Sequence, residues 1–257
     1  MHKGQSSPLA QLQAANLYLF VMHNPVRFVD PTGLFGVPTS IADMLQEREA
    51  ARQPITITRN GDNVSIVAHV NIWGSGADNL VHGSDTTTHR QAAIYGIRTH
   101  WTGDKGGLNV TVTVIELNSD TNLIRDGQQF LNIEIIAGAG TSHVAGLNQG
   151  QNWSRTNVGD MVLFTEFESG TNRTLRDVRW TAAHEFGHSL GIADGWGFGR
   201  EGRGREATEF GNYYSMMIRR NHTVTRLDIE LALRAHRTNA YQIWYNNPLV
   251  PIHGIPR

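Results

Sequence analysis

The stretch with the most chemical content is His184-Glu185-Phe186-Gly187-His188-Ser189-Leu190-Gly191-Ile192-Ala193-Asp194. On a helix, residues four apart share a face, so His184 and His188 can turn their imidazoles toward one ion. Glu185 follows by one step and is close enough to reach a water held by that ion. Two imidazoles alone make a weak site; a third protein ligand is needed, with one position left open for water. Gly191 supplies a route to it, because glycine leaves a helix through a left-handed turn without a Cβ penalty. That exit can return Asp194 to the same ion as an oxygen ligand. In a chain with 12 histidines, His-Glu-x-x-His arises by chance in roughly one sequence in 40. Requiring the glycine and then His or Asp lowers this to roughly one in several thousand. The bland alternative is a helix whose histidines pack or face solvent.

The rest of the composition narrows the chemistry. There is no cysteine, which excludes disulfides, thiolate nucleophiles, thiolate metal sites and a cysteine-based latency switch. The formal net charge of −1 argues against a nucleic-acid binder, which normally carries a large positive excess. Near the start, the longest clean apolar run is Leu17–Met22, far short of the roughly 20 residues that span a bilayer. No charged n-region followed by a secretory h-region opens the chain. The histidines at 69, 82, 89, 100, 143, 222, 236 and 253 lack a second ligand at metal spacing and read as surface or hydrogen-bonded core. Gly138-Ala139-Gly140 begins like a dinucleotide loop, but His143 stands where the third glycine belongs. Arg200, Arg203 and Arg205 lie in a Gly-rich stretch after Asp194 that reads as a solvated loop.

Elements able to position the motif can be placed along the 257 residues. Ile55–Thr58 and Val64–Trp73 flank Asn60-Gly61, a hairpin signal with alternating apolar residues on both sides. Residues 85–102 read as a helix, with Ala93, Ile97 and Trp101 on one face. Val110–Leu117, Phe130–Ile136 and Val158–Phe167 read as strands, and 176–191 as the helix that carries the motif. After Thr225 the apolar alternation suits a strand, but Thr225-Arg-Leu-Asp228 fits a capping box and the residues are helix formers, so a helix is predicted. From about residue 55 the pattern therefore reads as α/β.

The eleven residues from His184 to Asp194 resemble the signature of metzincin zinc proteases, whose third ligand is usually His but is Asp in a small group of secreted bacterial proteases. The resemblance implies Zn2+ held by His184, His188 and Asp194, with Glu185 as general base. It also implies a methionine under the metal in a tight turn. Ser215-Met216-Met217 lies downstream, and Met217 is preferred over Met216 because Ser-x-Met fits the turn pattern. Several metzincins have a tyrosine two residues after that methionine; here the position is Arg219, and Tyr213 or Tyr214 would have to substitute. The implied fold is α+β, a metzincin-like zincin: a twisted mixed sheet, an active-site helix and a C-terminal helix. In that fold an edge strand just before the active-site helix holds the substrate as an added strand, and residues 138–165 should contain it. The implied reaction is peptide-bond hydrolysis, with an ion-activated water attacking the carbonyl and Glu185 moving the proton.

A second resemblance concerns the N-terminus. Asn16-Leu17-Tyr18, Asn24-Pro25-Val26 and Asp30-Pro31-Thr32-Gly33-Leu34 look like the end of the core region of Rhs-repeat proteins. That family implies self-cleavage around Asp30, Pro31, Gly33 and Leu34, ahead of a variable C-terminal toxin. Residues 1–36 would be the tail of the shell and 37–257 the protease domain. The resemblance further implies an immunity protein, the Rhs shell as partner, and secretion or delivery into a target cell without a classical signal peptide. The competing expectations are a catalytically silent metal-binding interaction module and an ordinary secreted bacterial protease. Intact Glu185 speaks against the first, since a silent module has no need of the base.

Overall fold

The chain reverses at Gly61, whose φ of +60° is a conformation that glycine adopts without strain. This turn joins β1 (Ile55–Asn60) to β2 (Asn63–Trp73) as an antiparallel hairpin in the register Asn60↔Asn63. The computed structural model describes residues 52–117, 128–147, 152–194, 217 and 223–242. All of them belong to one unit, Ala50–Arg257. The expectations for residues 1–36, including Asp30, Pro31, Gly33 and Leu34, lie outside the described residues, as do those for Met216, Arg219, Tyr213, Tyr214 and the three loop arginines.

The described elements continue as α1 (His89–Trp101), β3 (Gly103–Asp104), β4 (Asn109–Glu116), β5 (Leu131–Ala139), β6 (His143–Ala145), β7 (Asp160–Glu166), α2 (Leu175–Ser189) and α3 (Arg226–Thr238). The strands form one sheet in the order β3-β4-β2-β5-β7-β6, with β1 also on β2. It is a mixed sheet. β4 and β5 run parallel to β2, and β7 parallel to β5, while β1, β3 and β6 are antiparallel to their neighbours. The expected α+β class holds at that level. Two short strands, β3 and β6, were not anticipated individually, because two or three residues carry no readable alternation. β6 nevertheless falls within the stretch expected to hold an edge strand, and it borders the sheet immediately before β7 and α2.

Alternation along β2 explains how the sheet meets its helices. Val64, Ile66, Ala68, Val70 and Ile72 are buried, while the residues between them are only partly covered. α1 packs on β4 and α2, and α2 packs on β7 and β6. The α1–α2 crossing is close: a Cβ on Gly96 would stand 2.2 Å from the carbonyl oxygen of Arg179. At the far end of α1, the fully buried Trp101 donates its indole N–H to the Ala183 carbonyl at 2.9 Å and meets Phe186 edge-on at 5.9 Å. Removing a buried aromatic of this kind costs about 3–5 kcal/mol, so Trp101 and Phe186 anchor α2 firmly.

Each helix begins where its sequence provides a cap. Thr88, Thr174 and Thr225 all form capping boxes, with Gln91, Asp177 and Asp228 respectively. The helix expected over 85–102 therefore starts only at His89, because the Thr88 side chain already accepts from the Gln91 N–H. The segment after Thr225 is helical, its buried Ile229, Leu231, Ala232 and Ala235 facing the core.

Candidate metal centre

Over its last two turns α2 is buried on nearly every side, and this is where it carries His184, Glu185 and His188. The single helical turn between the two histidines places their rings 5.0 Å apart at 87°. The helix then ends in a two-bond glycine cap. Gly191 N–H donates to the His188 carbonyl at 2.9 Å, and Ile192 N–H donates to the Gly187 carbonyl at 3.1 Å. Gly191 is left-handed, with φ +89°, and a Cβ there would stand 2.7 Å from both Ala235 and Trp153. Only glycine satisfies the dihedral and the space together.

This reversal carries Asp194 back beneath the helix. Its Oδ1 lies 3.2 Å from Nε2 of His184 and 3.5 Å from Nε2 of His188. One ligand atom from each of the three residues lies within 4.8 Å of the others, and no other group of this kind occurs among the described residues. The cluster could hold a metal ion.

The protonation pattern tests that fit. Nδ1 of His188 is 2.8 Å from the Ile192 carbonyl oxygen, which can only accept, so the hydrogen sits on Nδ1. In the neutral ring Nε2 is then a lone pair, and it faces a carboxylate oxygen. Oδ1 of Asp194 is buried and, while the His188 ring is neutral, accepts no hydrogen bond from it. Electron-pair donors that converge in this way repel unless positive charge lies among them. A proton can supply that charge. Burial opposes an imidazolium at His188, but the hydrogen bond and charge of Asp194, with Glu185 and the Ile192 carbonyl, outweigh it and raise the pKa to about 9. Burial likewise works against ionised Asp194, but the two histidines hold its carboxyl well below the usual range. A divalent cation supplies the same charge while using all three donors.

The neighbours of the cluster fix its shape. Trp180, one turn before His184, stacks on that imidazole at 5.0 Å and 21°. Glu185 is buried beside His184. Met217 is fully buried and packs against α2 at Gly187. Trp153 donates its indole N–H to the Ser189 carbonyl at 3.1 Å, behind the helix exit. Tyr241 brings its hydroxyl to 3.3 Å from Nδ1 of His188. Neither Trp180 nor Tyr241 was expected from the sequence: the i−4 spacing of Trp180 to His184 offered a signal, whereas Tyr241, 53 residues from His188 in the chain, had no local one. The described histidines at 69, 82, 89, 100, 143 and 236 form no second cluster. Comparison with known proteins adds no relative: no family model matches the sequence, and no curated protein is significantly similar to it.

Proposed function

We propose that the protein is a zinc-dependent endopeptidase of metzincin type, acting as the toxin domain of an Rhs-repeat effector. The convergence of His184, His188 and Asp194, with Glu185 buried beside them, carries the protease reading. Two imidazoles and one carboxylate from a single helix and its exit make a three-donor set that leaves room for water and substrate, as catalytic zinc requires. The short antiparallel edge strand β6, directly before β7 and α2, supports the same reading. A peptide can add to such an edge through main-chain hydrogen bonds.

When bound there, Zn2+ would supply Lewis acidity, lowering the pKa of a water and polarising the scissile carbonyl. The chain's own residues then do the remaining work. β6 holds the extended substrate, and Glu185 takes the proton from the attacking water and returns it to the leaving amine. Trp180 walls the His184 ring and excludes solvent on that side. Met217 supports the floor of α2. The Rhs half of the reading rests on Asn16-Leu17-Tyr18 and Asp30-Pro31-Thr32-Gly33-Leu34, and it brings with it an immunity protein and delivery into a target cell.

Metal analysis paired with a proteolysis assay tests this on wild type and Glu185→Gln. Stoichiometric zinc in both proteins, with activity only in wild type, supports the assignment. Equal activity in both rejects it. The same donor set also suits ferrous iron, so purification with iron and no peptide hydrolysis would overturn the zinc reading. Release of residues 35–257 by cleavage after Leu34, when the full parent chain is expressed, tests the Rhs half.

A further inference from the structure

We propose that Tyr241 is a positioning residue of the metal centre, delivered to the back of His188 by a strap that follows α3. The inference rests on the metal-site reading above and extends it to a segment outside the motif. At the end of α3, Asn239 adopts the left-handed conformation, φ +52°, and turns the chain back. The Gln242 side chain donates to the Ala240 carbonyl at 2.7 Å and secures that turn. The strap then joins the exit of α2. Gln242 N–H donates to the Gly191 carbonyl at 2.8 Å, and Ala193 N–H donates to the Gln242 carbonyl at 3.0 Å. Ile192 and Gln242 form a parallel bridge. The main chain that leads to Asp194 is therefore held before and after Ile192 by the backbone of Gln242.

With the strap in this register, the Tyr241 hydroxyl faces the His188 ring. The Ile192 carbonyl takes the principal share of the Nδ1–H at 2.8 Å, and the phenol oxygen stands 3.3 Å from the same nitrogen as a second acceptor. Two oxygens on one N–H fix the tautomer and restrict ring rotation more than one does. They also leave Nε2 directed at Asp194. Partners on the far nitrogen of a metal-bound histidine commonly change metal affinity 10- to 100-fold. Because one oxygen here is a main-chain carbonyl that no side-chain substitution removes, the share of Tyr241 belongs at the lower end of that range.

The test uses the full chain and its Tyr241→Phe variant, which keeps the ring and deletes only the hydroxyl. Zn2+ affinity is measured by competition with a chromophoric chelator, the visible spectrum of the Co2+ form is recorded, and the metal-free proteins are melted. The expected result is roughly tenfold weaker Zn2+ binding and a shifted Co2+ spectrum, with unchanged melting of the metal-free protein. Equal affinity and identical spectra overturn the proposal, as does an affinity loss matched by destabilised metal-free protein. If wild type itself takes up neither ion, the metal-site reading fails instead, and that result is distinct from a wild type and variant that bind equally.

Discussion

The sulfur of Met217 rests against the bare backbone of Gly187, so close that a Cβ built on Gly187 would lie 2.4 Å from it. Gly187 sits between His184 and His188 on α2, so the methionine presses directly on the turn that spaces the two ligands. The same Cβ would be 3.2 Å from the Trp101 indole, so an added methyl would be crowded on a second side as well. In an exposed helix, Gly→Ala stabilises by about 1 kcal/mol. Here overpacking, at about 1–3 kcal/mol, should outweigh that gain. Gly187→Ala should therefore destabilise the protein by about 1 kcal/mol net, and Met217→Ala by about 2–5 kcal/mol through the cavity it leaves. The double variant should be more stable than the sum of the two losses, because the new methyl occupies part of the cavity. Urea denaturation in chelator checks all three, and simple additivity would show that the two residues do not press on each other.

Zinc uptake should release protons below about pH 9. The raised pKa of His188, about 9, means that the metal-free site carries a proton at neutral pH. Metal binding needs the lone pair, so the proton must leave. Apparent Zn2+ affinity should then rise about tenfold per pH unit between pH 7 and 9 and flatten above. Stability of the metal-free protein carries the complementary sign. A raised histidine pKa stabilises fully below its unfolded value, near 6.5, and that contribution disappears as pH climbs through about 9. The depressed Asp194 contributes above the unfolded carboxyl value and loses its contribution as pH falls. Titration calorimetry in buffers of different ionisation enthalpy, at pH 7, should report close to one proton released per zinc. A value near zero would contradict the protonated pair.

Gly191→Ala should be the most damaging single-methyl change in the site. The left-handed backbone costs a non-glycine residue roughly 1–2 kcal/mol. The methyl would also meet Ala235 and Trp153 at 2.7 Å, adding an overpacking cost of about 1–3 kcal/mol. The two sum to about 2–5 kcal/mol of lost stability, measured by denaturant melts. Zn2+ affinity should fall along with it, since Gly191 also accepts from Gln242 and starts the path to Asp194. An alanine variant with wild-type stability would remove the argument that only glycine fits here.

The contrast between Gly191 and Tyr241 shows what the sequence could disclose. Local geometry dictates that two histidines one turn apart share a face and that glycine can end a helix, so His184, His188 and the Gly191 exit were legible from spacing alone. The Asn60-Gly61 hairpin and the Thr225 cap were legible for the same reason: their signals lie within four residues. Tyr241 reaches His188 only because α3 is capped left-handed at Asn239 and Gln242 bridges Ile192, a pairing of distant segments with no sequence period. β6 was legible only as an expected role within 138–165, since three residues hold too little pattern to be placed. Met217 had a positional expectation from resemblance, but its contact with Gly187 depends on packing that no spacing rule encodes.

Asp194→His should move the acidic limb of the pH–rate profile to lower pH. The carboxylate gives the site one more negative charge than a third neutral imidazole would. Negative charge beside the ion weakens its pull on the attacking water, so the wild-type water is less acidified than in an all-histidine site. Exchanging Asp for His raises the site charge by one and makes the water ionise at lower pH. The Asp194 side chain is 39 % exposed, so a larger ring has space to project. Rates are to be measured on zinc-loaded protein of both kinds, with metal content assayed at each pH. An unchanged or upward-shifted limb in a fully loaded variant would contradict the charge argument, whereas the expected downward shift would tie Asp194 to the acidity of the reacting water.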